Sequence, residues 1–212
     1  MTQLNTKIPA ERLKYILKDF MDPLFKKVGF KKQGNKYKLT KNNLIYEVAL
    51  QKSQWNTKDS LSFTFNFLIW LPEDLVKRLP FPFLAPALSG RISILCNNQD
   101  LWFELKTEDK DWQEKDKEVG QKLEKLAMEN VLPFFVSIET IGDIINILEQ
   151  PNTLRWFNPN VGGQTQEWIA ILYYTIGQKE KSLNILDEAI KTTKSKLFKE
   201  SLEELKDKMQ TG

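Results

Sequence analysis

The chain of 212 residues carries no histidine and one cysteine, Cys96. Those two counts remove most familiar chemistry. Zinc and other transition-metal sites of the usual kind draw on clustered Cys and His, and nucleophilic triads use a His base. Cys96 would be a nucleophile only if a neighbouring cation lowered its pKa; a lone Cys at a strand end reads instead as a small core residue. The sequence holds neither a phosphate loop nor G-x-G-x-x-G. Gly162-Gly163-Gln164-Thr165 precedes a helical pattern and has amides to offer an anion, but reads as a connector. Glu108, Asp109, Asp111, Glu114 and Asp116 cluster, interleaved with Lys106, Lys110, Lys115 and Lys117. That mixture reads as a solvated segment, not as the converging oxygens that a hard cation needs. No catalytic residue, metal or cofactor is implied.

What remains is a polar constellation that a sheet would have to assemble. Residues 60–71 alternate with period two: Leu61, Phe63, Phe65, Phe67, Ile69 and Leu71 are apolar, and the even positions begin Ser62, Thr64, Asn66. This predicts a strand with one buried face. The opposite face then offers Asn66, joined from neighbouring strands by Glu47, Gln51 and Ser53, by Arg91 and Ser93, and by Trp102 and Glu104. Hydrogen-bonding groups around an Arg and a Trp suit a ligand or a partner loop. The candidate binding residues are therefore Glu47, Gln51, Ser53, Asn66, Arg91 and Trp102. Arg91 with Glu47 or Glu104 is the pair that an acid–base enzyme would need.

Charge is unevenly spread. Residues 1–58 carry 13 Lys+Arg against 4 Asp+Glu, a net of +9; the remainder carries 18 against 24, a net of −6, summing to +3. Lys26, Lys27, Lys31, Lys32, Lys36 and Lys38, with Phe30 and Tyr37 nearby, would suit a polyanion. The simpler reading is a pair of mutually attracting halves or solvated lysines.

The elements that must position these groups are legible in outline. Residues 9–28 read as an amphipathic helix with Leu13, Ile16, Leu17, Phe20, Leu24 and Val28 on one stripe, Pro9 in its first turn, Gly29 as its stop and Pro23 as a kink or early end. Strands follow at 36–41 and 44–53, joined by Asn42-Asn43 as a hairpin turn, then at 60–71, 91–96 and 101–106. Short connections favour an antiparallel sheet of about five strands. Helices are expected near 119–132, restarted at Pro133, and at 138–148, with a turn-rich junction at 158–163. The rest is helical: 164–176, 179–192 and 196–209. The fold class is α+β, with a sheet domain over 1–150 and a helical extension over 158–212. One cysteine suits a reducing compartment. Residues 1–13 lack the apolar core of a secretion signal, and no apolar run approaches the ~20 residues of a membrane helix. A cytoplasmic location follows.

Two resemblances extend this outline. Ala170, Leu172, Tyr173, Tyr174, Gly177, Ser182, Leu183, Leu186, Ala189 and Ile190 together resemble a tetratricopeptide repeat, with small residues at the helix crossing and Gly in the tight turn. Ser182 stands where that family usually has Ala. One unit is visible and arrays need about three, which implies a helical hairpin packed on the sheet domain. The first 150 residues resemble a bacterial family known as domain of unknown function 4304. The likeness rests on Lys27-Val28-Gly29-Phe30-Lys31-Lys32, Leu50-Gln51-Lys52-Ser53, Phe63-Thr64-Phe65-Asn66, Arg91-Ile92, Trp102-Phe103 and Leu132-Pro133-Phe134-Phe135. It implies an α+β fold and supplies no activity. The expectation is a binding protein with a possible protein partner, an immunity-type or regulatory component; an enzyme and a nucleic-acid binder are the alternatives.

Overall fold

The computed structural model describes residues 8–81, 85–96, 100–150 and 164–211. The expected junction at 158–163, with the glycine-led connector, and residues 97–99 of the turn expected at 97–100 lie outside them. The protein is α+β, and its chain forms two compact units. Residues up to 40, 46–68 and 90–137 make the first; 41–45, 69–89 and 138 onward make the second.

The sheet has six strands: β1 (Lys31–Gln33), β2 (Lys36–Lys41), β3 (Leu44–Lys52), β4 (Ser60–Trp70), β5 (Leu88–Arg91) and β6 (Phe103–Lys106). They run in the order β1-β2-β3-β4-β5, with β6 also pairing with β4. Asn42 and Asn43 both have positive φ, 51° and 60°, as the two-residue hairpin turn between β2 and β3 requires. The alternation of β4 is realised: Leu61, Phe63, Phe65, Phe67 and Ile69 are all buried. β1 is an edge strand that the sequence reading missed, because three residues carry no period. The strand expected at 91–96 is corrected. Arg91 is the last residue of β5, and Ile92–Leu95 forms one helical turn. Arg-Ile-Ser-Ile imitates alternation, but over four residues period two and a helical turn cannot be told apart.

One face of the sheet in the first unit carries the helices, and both main helices contain the same irregularity. α1 (Pro9–Ile16) passes through a π-turn, Leu17–Met21, into α2 (Asp22–Lys27). α5 (Trp112–Leu126) passes through a second, Ala127–Val131, into α6 (Leu132–Val136). In each case the bond spans five residues, Asp22 N–H to Leu17 O and Leu132 N–H to Ala127 O, and proline follows immediately, Pro23 or Pro133. Proline lacks an N–H and clashes with the carbonyl four residues back. The wider turn absorbs that clash, so neither helix stops or restarts. The added residue also moves the buried stripe forward by one. Met21 and Phe25 are buried, and Val28, the expected end of the stripe, is 40% exposed. The core then closes on aromatic pairs, with Phe25 stacked on Tyr37 at 4.5 Å and Tyr46 against Phe135 at 5.3 Å.

In the second unit α3 (Glu73–Val76) is a single turn. α7 (Ile141–Glu149) starts on a capping box between Thr140 and Asp143. α8 (Gln164–Thr175), α9 (Lys179–Thr192) and α10 (Lys196–Thr211) follow. Gly177, at φ +80°, makes the turn between α8 and α9. Ser182 is fully buried, and its hydroxyl donates to the Ala170 carbonyl at 2.7 Å. Hence a serine is accommodated at a helix crossing that an alanine would also fit. Among the described residues no single helix is long and apolar enough to cross a membrane.

Candidate functional site

The face of the sheet opposite the helices is where the expected constellation falls, and it can be traced strand by strand within the first unit. On β3 the even residues Tyr46 and Val48 are buried in the core, so Glu47 and Gln51 point the other way. On β4 Asn66 does the same, and its Nδ2 donates to Gln51 Oε1 at 2.9 Å. On β5 a Cβ on Gly90 would touch the core residue Phe67, so Arg91, one residue on, faces outward. Ser62 pairs with Glu104 and Phe63 with Phe103. Trp102, one residue beyond that ladder, therefore falls beside Thr64. The Ser53 amide donates to the Ser62 carbonyl at 2.9 Å, and two residues back on β3 and forward on β4, Gln51 also falls beside Thr64.

The groups form two pairs, not one cluster. Gln51 and Asn66 are the first. Arg91 and Trp102 are the second, with the guanidinium carbon 5.1 Å from the ring centroid, a cation–π distance. Arg91 is also ion-paired with Asp100. The carboxylates offered as its partners are engaged elsewhere: Glu47 Oε1 is 2.9 Å from Lys36 Nζ, and Glu104 lies 3.1 Å from Lys106 Nζ. Ser53 accepts the Trp55 amide at 3.2 Å and so builds the turn after β3. Asn56 closes that turn, its amide exchanging bonds of 3.0 and 2.7 Å with the Ser62 backbone. Ser93 leaves the constellation, since it is buried in the helical turn α4 (Ile92–Leu95).

Thr64 lies between the two pairs. It is fully buried, and its hydroxyl has no hydrogen-bond partner among the described residues. Glu47, at 5% exposure, lies on the same face, with Lys36 Nζ 2.9 Å from its Oε1. A buried hydroxyl left unbonded, as in Thr64, costs ~1–3 kcal/mol. Trp55, just beyond β3, is 82% exposed.

A second polar cluster escaped the sequence reading. Arg12 is fully buried. Its Nε and Nη2 donate to Asp116 Oδ1 at 2.9 and 2.7 Å, Nη2 also reaches Asp109 Oδ2 at 3.0 Å, and Nη1 donates to the Lys106 carbonyl at 2.7 Å. Lys115 holds the other Asp109 oxygen at 2.7 Å. Burial pushes Asp116 up against the pull of Arg12. Burial pushes on Asp109 too, but bonds from Lys115, the Lys106 amide and Arg12 outweigh it and hold that carboxyl low. The carboxylates expected to be a solvated run are therefore split, two of them inside the fold. The guanidinium is consumed by these contacts, so the cluster ties α1 to the end of β6 and the start of α5 and presents little to a ligand. A signal was present in the sequence. Arg12 precedes Ile16 by four, and Asp116 leads the stripe Gly120, Leu123, Ala127, so each helix carries one charge, of opposite sign, on its apolar row.

Cys96 is half-buried. Its thiol donates to the Ile92 carbonyl at 3.2 Å, and burial raises its pKa, which disfavours the reactive thiolate.

A polar sheet face with helices packed on the opposite face defines an α+β domain. Its family is identified by sequence: the family described as Domain of unknown function (DUF4304) matches residues 21–137, more than half of the chain, and the protein belongs to it. That match takes in β1 to β6 and both candidate pairs. No curated protein and no solved structure matches the chain.

Proposed function

We propose that this protein is a cytosolic binding protein without catalytic activity, an immunity-type or regulatory component of a bacterium, and that the outer face of its sheet receives a partner protein. The observation that carries this reading is the set of part-exposed groups on one face: the hydrogen-bonded amides of Gln51 and Asn66 beside the stacked Arg91 and Trp102. Trp and Arg are the residue types on which interface energy concentrates, and Trp102 is held in place by Arg91. Catalysis is less supported, since each carboxylate near Arg91 on this face has its own cation. The tetratricopeptide-like hairpin of α8 and α9 is a single unit and lacks the length of a peptide-binding groove.

The test is affinity capture from the native host with the wild type and with Asn66→Ala/Trp102→Ala. A stoichiometric protein recovered by the first and lost by the second, with equal melting temperatures, supports the reading. Equal recovery by both, or no stoichiometric protein with either, contradicts it.

A further inference from the structure

Lys31 and Lys38 are direct partners across the β1–β2 ladder. Among the described residues neither has an ion pair or a side-chain hydrogen bond. Like charges opposed on adjacent strands are destabilising, so this pair has unused attraction for an anion. Both lie on the outer face. Tyr37 is buried in the core and Lys38, one residue on, points away from it; Lys36, on the same side as Lys38, reaches Glu47.

The remaining charges on this face are balanced: Glu47 with Lys36, Glu104 with Lys106, Asp100 with Arg91. Two free cations beside balanced ion pairs suit an anionic partner. The amide pair adds a second criterion. Asn66 Nδ2 gives one of its two N–H groups to Gln51 Oε1, and Gln51 Nε2 remains as a donor beside Asn66 Oδ1 as an acceptor. That is the complement of a peptide group, which presents one C=O and one N–H.

We infer that the partner presents an acidic polypeptide segment to this face, with carboxylates on Lys31 and Lys38 and backbone amides on Gln51 and Asn66. The inference rests on the reading of the outer face as the recognition surface. The experiment titrates the full-length chain with labelled poly-glutamate and, separately, with a thymidine oligonucleotide of similar length, at low and physiological salt. Poly-glutamate is expected to bind more tightly than the oligonucleotide and to weaken with salt. Lys31→Ser/Lys38→Ser should reduce its affinity about tenfold, or ~1.4 kcal/mol. Gln51→Ala/Asn66→Ala should reduce it separately, and Lys26→Ser/Lys27→Ser should leave it unchanged. Tighter oligonucleotide binding, equal losses from the Lys26/Lys27 control, or no poly-glutamate binding at low salt each overturn the inference. So does a Lys31/Lys38 variant that aggregates with unchanged affinity, since the lysines would then serve only to protect an edge strand. If a native partner is lost with Trp102→Ala while poly-glutamate never binds, the outer face stands as the recognition surface and its acidic partner does not.

Discussion

Replacing Arg12 by Ala is the most severe perturbation the structure offers. The side chain is fully buried and Asp116 is 2% exposed, with contacts of 2.7–3.0 Å between the guanidinium and the carboxylates of Asp116 and Asp109. Removing the cation leaves Asp116 as an unpaired charge away from water, and breaking a buried pair in this way costs about 3–5 kcal/mol. For a chain of this size ~4 kcal/mol lowers the melting temperature by roughly 8–16 °C, and with a urea slope of about 2 kcal/mol per molar it moves the midpoint by about 2 M. Urea titration followed by circular dichroism and by tryptophan fluorescence reads it directly, because Trp112 lies 5.7 Å from the Arg12 guanidinium. A second variant separates the lost pair from the stranded charge. Arg12→Met/Asp116→Leu replaces both partners by apolar groups and should recover a large part of the loss. A loss below ~1 kcal/mol for Arg12→Ala is the behaviour of a solvated pair, and would refute the role given to this cluster in holding α1 to α5.

Three further outcomes follow from the packing. Gly120→Ala should destabilise by about 1–3 kcal/mol although alanine favours helices by about 1, because a Cβ there overlaps the Phe20 ring; Phe20→Ala in the same chain should relieve it, and a stabilised single variant would contradict the contact. The Asp143 carboxyl is held low by the Glu139 amide and then by Thr140. Its contribution is therefore present above the ordinary carboxylate pKa of about 3.9 and is lost as pH falls through its own lower value; an NMR titration that places Asp143 at or above about 3.9 would contradict the capping box. Ser182→Ala should cost about 1 kcal/mol by urea titration, and a loss above ~3 would mean that the hydroxyl does more than bond Ala170.

The sequence carried the alternation of β4 and the Asn42-Asn43 turn without ambiguity, since six apolar positions at period two and two adjacent Asn have few other solutions. It also placed Gln51, Asn66 and Trp102 on one side, because period two propagates through neighbouring strands once the core side is known; Arg91 reaches that side from the end of β5 and not from the strand expected at 91–96. It could not show which of them touch, since pairing depends on register and on the turn at 54–59. Pro23 and Pro133 misled in the same way: a proline in a helical pattern reads as a stop, and the π-turn that accommodates it is visible only in backbone bonds. Arg12 and Asp116 were overlooked because they lie 104 residues apart and each reads alone as a surface charge.

Hydrogen exchange on the complex captured with the native partner tests the central claim most directly. Protection gained over residues 44–53, 60–66 and 101–106 is the predicted result. Protection confined to residues 164–211, with the outer face of the sheet exchanging as in the free protein, would contradict it.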